Sequence, residues 1–364
     1  MAKRQLLDID AASGIVLSGV GALEPEPSAL SEAGGKFTAE PAISPVDIPG
    51  FDNSIMDGFA VRAADTADAS PDRPLGLEIA GESRAGTPFG GGLGSGQAIR
   101  ISTGAPVPEG ADAVLQKEIV TTEGSRLNVS ARVEAGHDIR RRGEITTAGR
   151  EILPAGTALG AVGLGTLASV GIDSISCHRT PCVSLLTSGD ELVEPGGTLG
   201  PGQIWDSNRF SVSALVDEAG ATLVSFGNVK DDRQATVDAL ERALESDLTV
   251  ICGGVSVGDH DHVRPALAEL GVEQKFWGLA LKPGRPTWFG QRGESRVLGL
   301  PGNPVSAFVV FRLLAMPLLR MLAGGGPPGE RVTAMLAVPV DRLGVRLRAV
   351  PCHPARTGDP GDVV

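Results

Sequence analysis

Residues 182–220 read CVSLLTSGDELVEPGGTLGPGQIWDSNRFSVSALVDEAG, and this stretch decides the fold. Cys182 to Thr187 is a short run dominated by apolar and β-branched residues, the pattern of a strand buried on both faces. Asn208 to Ala219 repeats apolar residues at helical spacing and is closed by Gly220, so the spacing predicts a capped helix. The alternation continues with strands at Thr222 to Gly227, Leu248 to Cys252 and Val297 to Leu300. Helical patterns at Asp232 to Glu245, His262 to Leu270 and Val305 to Leu322 separate and follow them. Repeated strand–helix–strand units imply a doubly wound parallel sheet with helices on both faces, assigned to residues 179–325.

Upstream the texture changes. Between residues 75 and 145, β-like pieces (Gln97 to Ser102, Ala113 to Val120, Leu127 to Ala131) are broken by Gly, Pro and Asn, which predicts a small β-rich inserted domain. Residues 1–45 and 146–178 read as helices with small residues and are expected to pack as one discontinuous helical domain, with 46–74 crossing between. A Gly/Pro run at Gly324 to Pro328 introduces the C-terminal segment 326–364. The whole is a multidomain α/β protein.

With 364 residues the chain is long enough for two or three domains. A formal charge of −12, with no basic run longer than Arg140-Arg141-Arg142, argues against nucleic acid or an anionic membrane as the main partner. Any anionic ligand must therefore be held by local cations. The cysteines Cys177, Cys182, Cys252 and Cys352 form no C-x-x-C pair, which fits neither a zinc cluster nor a disulfide framework and predicts a reducing, cytoplasmic setting. Met1 to Asp10 is charged where a secretory segment is apolar, and the apolar stretch Ala307 to Ala323 is interrupted by Arg312, Pro317 and Arg320. Neither a signal peptide nor a membrane span is expected.

In a doubly wound sheet, ligands bind outside the carboxyl ends of the strands. Four loops there carry unusual residues: Thr187 to Glu191, Lys230 to Asp232, Gly253 to Asp261, and Pro301 to Pro304. They gather Asp190, Glu191, Asp231, Asp232, Asp259 and Asp261 on one rim, hard oxygen ligands suited to Mg²⁺ beside a phosphate. About half of these carboxylates are expected to cap helices instead, Asp232 first among them. The glycines of Gly253 to Gly258 free backbone N–H groups, and Pro304 suits the first position of a helix whose exposed amides would meet an anion. Lys282-Pro283-Gly284-Arg285-Pro286 sets two cations on a proline-stiffened turn that would neutralise an oxyanion, or simply form a solvated turn.

Other matches are decoys. Gly254-Val255-Ser256-Val257-Gly258 satisfies the hydrolase pattern G-x-S-x-G, yet Asp259-His260-Asp261 intervene before the helical pattern starts. Gly163 to Ala168 matches a dinucleotide fingerprint without a clear preceding strand, and is read as small-residue helix packing. His260 and His262 are read as surface groups.

Longer stretches carry a resemblance: Pro45 to Arg62 (PVDIPGFDNSIMDGFAVR), Arg100 to Asp112 (RISTGAPVPEGAD), Arg140 to Glu144, Ser188 to Leu192, Gln203 to Arg209, Gly253 to Asp261, Leu281 to Pro286 and Leu300 to Ala307. Through them the chain resembles the molybdopterin molybdenumtransferases, including the C-terminal domain of gephyrin. The resemblance implies Mg²⁺-dependent insertion of molybdenum from molybdate into adenylyl-molybdopterin with release of AMP. It assigns Asp57, Thr103, Glu191, Asp231 or Asp232, Asp261, Lys282, Arg285, Pro301 and Pro304 to the catalytic cleft. Substrate contacts are implied for Ser188, Gly189, Asp190, Asp206, Ser207, Asn208, Gly253, Gly254, Ser256 and Asn303, and Mg²⁺ contacts for Glu191, Asp259 and Asp261.

The resemblance also implies a homodimer that completes the cleft across its interface, and contact with the adenylyltransferase that makes the pterin adenylate. Departures from the family pattern are Ile145 in place of an acidic residue, Arg285 in place of lysine and Phe59 in place of tyrosine. The segment after Gly324 is shorter than the family's β-rich fourth domain and lacks a match to its serine-bearing loop, which implies a shortened C-terminal domain. Two other readings follow from the same residues: a pterin-binding scaffold without turnover, and a molybdopterin adenylyltransferase, whose related loop reads Gly-Gly-Thr-Gly where Gly253-Gly254-Val255-Ser256 stands here.

Overall fold

The computed structural model describes residues 6–229, 232–254, 262–327 and 347–350. The chain divides into two units: residues 1–40, 155–161 and 174–364 form one around an α/β sheet, and 41–154 with 162–173 form the other.

The sheet unit contains strands β1 (Cys182–Ser188), β2 (Thr222–Val229), β3 (Leu248–Cys252), β4 (Glu273–Trp277), β5 (Trp288–Arg292) and β6 (Ser295–Leu300). Their order is β2-β1-β3-β6-β5-β4. The first four neighbours are parallel, with Leu185 opposite Val250 and Val250 opposite Leu298. β5 and β4 extend the sheet antiparallel, an addition that the sequence pattern left out.

Period-2 alternation sends successive residues to opposite faces. Val183, Leu185, Val250, Cys252, Leu298 and Leu300 pack with helices α1 (Ser207–Glu218) and α4 (Pro304–Leu322), and with the N-terminal helix Ile9–Leu17. Leu186, Ile251 and Val297 pack on the other face with α2 (Arg233–Ala243) and α3 (Val263–Glu269). The expected doubly wound core is thus present.

α4 is long and apolar enough to cross a membrane by length and composition, but half of it is buried. Ala307, Val310, Phe311, Leu314 and Leu318 join the sheet core, which is where its apolar residues go. A π turn at Phe311–Ala315 shifts the hydrogen-bond ladder just ahead of Pro317, which has no N–H to give it.

The other unit is built on a six-stranded sheet in the order Ala113–Gln116, Gly58–Val61, Gln97–Ile101, Leu75–Ser83, Arg126–Val129, Thr121–Glu123. It is sandwiched between two small cores, one holding Phe59, Val61, Ala98 and Leu115, the other Ala60, Ile99, Ile101 and Val114. Its inner strand Gly58–Val61 comes from the segment read as a crossing. Helix Ala161–Ser169 buries Gly163 and Leu167, as the small-residue reading of that stretch expects.

The pieces expected to form a separate helical domain are shared between the two units. Pro25–Ala29 pairs antiparallel with Ser174–His178 in a separate two-stranded sheet, His178 Nδ1 lies 2.6 Å from the Leu23 carbonyl oxygen, and both segments fall in the unit that holds the α/β sheet. Within residues 6–45, Ile9–Leu17 is the helix described. Of the C-terminal segment, residues 328–346 and 351–364 lie outside the described residues, and Leu347–Arg348 pairs in parallel with Leu281–Lys282.

Candidate active site

Because β1, β2, β3 and β6 run parallel, the four loops singled out in the sequence leave the sheet at one edge. Hydrogen bonds at that edge join the end of β1, the start of α1 and the loop before α4. Thr187, fully buried at the end of β1, donates to Asp206 Oδ2 at 2.7 Å. Asp206 Oδ1 accepts from the Arg209 amide at 3.1 Å, so this buried carboxylate caps α1. Two residues on, Asn208 Nδ2 donates to the Gly302 carbonyl oxygen at 2.7 Å and joins the start of α1 to the loop before α4. Asn208 Oδ1 is buried without a hydrogen-bond partner among the described residues, an arrangement that a ligand donor would satisfy.

At Gly253 the backbone takes φ +85°, and a Cβ there would come within 2.7 Å of the Ser188 carbonyl oxygen. Only glycine lets the β1 and β3 loops approach so closely. Asn303 caps α4 by accepting from the Ser306 amide at 3.2 Å, and Pro304 occupies its first turn. Two helix N-termini therefore open on this edge beside glycine-rich backbone, an arrangement with affinity for anions. Asp232 is engaged as the cap of α2, accepting from the Ala235 amide at 2.7 Å.

Glu191 and Asp190 are exposed. The Glu191 carboxylate lies over Gly189, where φ is +145° and a Cβ would meet Glu191 Oε2 at 2.3 Å. Asp231, Ser256, Asp259 and Asp261 lie outside the described residues. Among those described, no group of three or more His, Cys, Asp or Glu is placed to hold a metal. Cys252, at the end of β3, is buried, and burial together with the nearby Asp206 carboxylate holds its thiol protonated. It is no nucleophile.

Lys282 and Arg285 stand exposed on the turn following Leu281. The turn is fixed by the Thr287 hydroxyl donating to the Gly284 carbonyl oxygen at 2.7 Å, and Gly284 packs against Val310 of α4.

In the second unit, Asp57 precedes strand Gly58–Val61. Its Oδ1 accepts from both the amide and the hydroxyl of Thr103, each at 2.9 Å, while Oδ2 accepts from Lys117 Nζ at 3.1 Å. The Thr103 amide first, then Lys117, pushes the Asp57 carboxyl down to about 2. The turn reading of Met56-Asp57-Gly58 thus understates a carboxylate held by three donors. Phe59 is buried, with the Arg100 guanidinium 5.1 Å from its ring centroid. The Arg140 to Glu144 run is largely spent on internal pairs: Arg141 Nη1 to Asp52 Oδ2 at 2.6 Å, and Arg142 Nε to Asp47 Oδ2 at 2.7 Å. Ile145, in the place of an acidic residue, is exposed.

Among the described residues, Lys117 is the group bonded to Asp57 that sequence reasoning missed. It sits in a polar run without a motif, and only the register of the β sheet, which sets Gly58 opposite Gln116, makes it a neighbour of Asp57.

Comparison with known proteins bears on the whole of this arrangement. Residues 7–171 match the MoeA N-terminal region (domains I and II), and residues 184–321 match a probable molybdopterin-binding domain. The chain is 42% identical over 297 residues to molybdopterin molybdenumtransferase of Haemophilus influenzae, covering 81% of this chain and 72% of that protein. It is 37% identical over 343 residues to molybdopterin molybdenumtransferase 2 of Mycobacterium tuberculosis, covering 90% and 84%. Among solved structures, the molybdopterin biosynthesis MoeA protein of Pyrococcus horikoshii OT3 superposes with a TM-score of 0.76 at 30% identity, over 88% of this chain and 80% of that one.

Proposed function

Since the chain belongs to the molybdopterin molybdenumtransferases, transferases of molybdenum cofactor biosynthesis, we propose that it inserts molybdenum from molybdate into adenylyl-molybdopterin and releases AMP in a Mg²⁺-dependent reaction. The observation that carries this reading is the rim itself: two capped helix N-termini, Gly253 backbone and the unpartnered Asn208 Oδ1 on the sheet edge to which Glu191 belongs. Both substrates are anions, the tetrahedral molybdate dianion and the phosphoanhydride of the adenylate, and fixed N–H dipoles bind both without needing to reorganise. In this reading Ser188, Gly189, Gly253 and Gly254 approach the phosphates, Asp206 and Ser207 set the start of α1, and Asn208 takes a donor from the nucleotide. Pro301, Asn303 and Pro304 shape the second anion site.

Carboxylates are the hard oxygen donors that Mg²⁺ takes beside phosphate oxygens and water. Glu191 would hold it, with Asp259 and Asp261, and when bound it would neutralise charge on the anhydride. Lys282 and Arg285 supply the cations that complement charge on the leaving phosphate. Asp231 or Asp232, Asp57 and Thr103 enter the same proposal as substrate-cleft residues. Assembly as a homodimer, contact with the adenylyltransferase that makes the substrate, and a cytoplasmic location, in keeping with free thiols at Cys177, Cys182 and Cys252, belong to the same proposal.

The test is AMP release from purified protein given adenylyl-molybdopterin, with Mg²⁺ and molybdate added singly and together. Release that needs both ions supports the proposal. Tight binding of the adenylate without release would replace it with a scaffold role. Lys282→Ala is expected to lower the rate by at least about 2 kcal/mol of transition-state stabilisation, and wild-type rates would remove that role.

A further inference from the structure

We infer that Lys117 is a positioning residue for Asp57, and that with Thr103 it leaves the carboxylate one open acceptor site, suited to an N–H donor of the pterin rather than to Mg²⁺. This rests on the proposed function for the identity of the ligand, and on the geometry alone for the clamp.

The register of the β sheet creates the clamp. Gly58 pairs with Gln116 on one side and with Ile101 on the other, so Asp57 emerges between the ends of two neighbouring strands. The Lys117 amide donates to the Asp57 carbonyl oxygen at 3.1 Å, continuing that pairing and placing the lysine side chain across from the carboxylate. A carboxylate offers about four lone-pair positions. Two on Oδ1 are taken by the Thr103 amide and hydroxyl, and one on Oδ2 by Lys117 Nζ. One remains, on a side chain that is 48% exposed.

A single remaining lone pair accepts one N–H or O–H. A dication set there would also meet the Lys117 ammonium, 3.1 Å from the same oxygen, and the repulsion disfavours it. The neighbouring charged groups do not compete. Glu118 follows Lys117 in its turn, the Arg100 guanidinium lies over Phe59, and Asp138 bonds Gln116 Nε2 at 2.9 Å with His137 Nε2 at 3.5 Å. The three donors favour the ionised carboxyl, so it offers an acceptor at neutral pH and no proton.

The experiment uses the full chain as wild type, Lys117→Met and Lys117→Arg, with two readouts. The first is the titration of the Asp57 carboxyl carbon by NMR. Its midpoint is expected to rise in Lys117→Met and to return in Lys117→Arg. The second is the Kd for adenylyl-molybdopterin, expected to weaken roughly tenfold in Lys117→Met through loss of orientation. The Mg²⁺ concentration for half-maximal AMP release is expected to stay at its wild-type value. An unmoved Asp57 midpoint overturns the positioning role, and an unmoved Kd or a raised Mg²⁺ requirement overturns the assignment of the acceptor to the pterin. Wild-type protein that binds the adenylate but releases no AMP defeats the proposed function alone, because both the midpoint and the Kd still report on Lys117. Protein that binds no pterin overturns the proposed function and the assignment of the acceptor to the pterin, while the midpoint still decides the positioning role.

Discussion

Asp57 and Glu191 are both carboxylates on exposed loops, yet their surroundings differ. Three donors hold Asp57, and its carboxyl stands at about 2 against an ordinary 3.8. Since the folded value lies below the unfolded one, its contribution to stability is complete above pH 4 and is lost as pH falls from about 4 to about 2. The stability gap between wild type and Asp57→Asn should therefore close over that interval, measured by urea unfolding at a series of pH values. A gap that is constant with pH would show that the donors do not favour the charged form. Glu191 instead rests against Gly189, where a methyl group would sit 2.3 Å from its Oε2. Glu191→Gln should raise the Mg²⁺ requirement for AMP release several-fold without unfolding the protein. An unchanged Mg²⁺ titration would count against Glu191 as a ligand.

Among the elements, α1 shows how one residue serves packing and site together. Asp206→Ala removes the cap and strands the buried Thr187 hydroxyl, so the urea midpoint should drop by the equivalent of about 2 kcal/mol at constant m. A loss below about 0.5 kcal/mol would mean that water replaces both bonds. The four parallel strands and four helices were legible because each carries a short apolar run or a helical stripe bounded by Gly, Asp or Asn. β4 and β5 were not, since Glu273, Gln274 and Lys275 read as polar loop and Phe276 and Phe289 meet only through the antiparallel register. Nor was the π turn in α4, which departs from the 3.6-residue period that reveals a helix. At the rim, the cap Asp232 and the place of Pro304 in the first turn of α4 followed from helix-start chemistry, whereas the Thr187–Asp206 and Asn208–Gly302 bonds join residues distant in sequence that no local pattern links.

For the molecule as a whole, each unit has its own hydrophobic clusters: those around Leu185 and Leu186 in one, those around Phe59 and Ile99 in the other. Heat should therefore unfold them with limited cooperativity, giving a calorimetric enthalpy larger than the van't Hoff value. A ratio of one would show the chain melting as a single unit. The pairing of Pro25–Ala29 with Ser174–His178 has a further consequence for the order of synthesis on the ribosome. Residues 41–154 emerge before the N-terminal strand's partner has been made, so the inserted unit can complete its sheet while Pro25–Ala29 still waits, and its collapse shortens the loop that must then be closed. A nascent chain that has just exposed residue 173 would hold one finished unit, tethered to a strand edge that offers itself to chaperones.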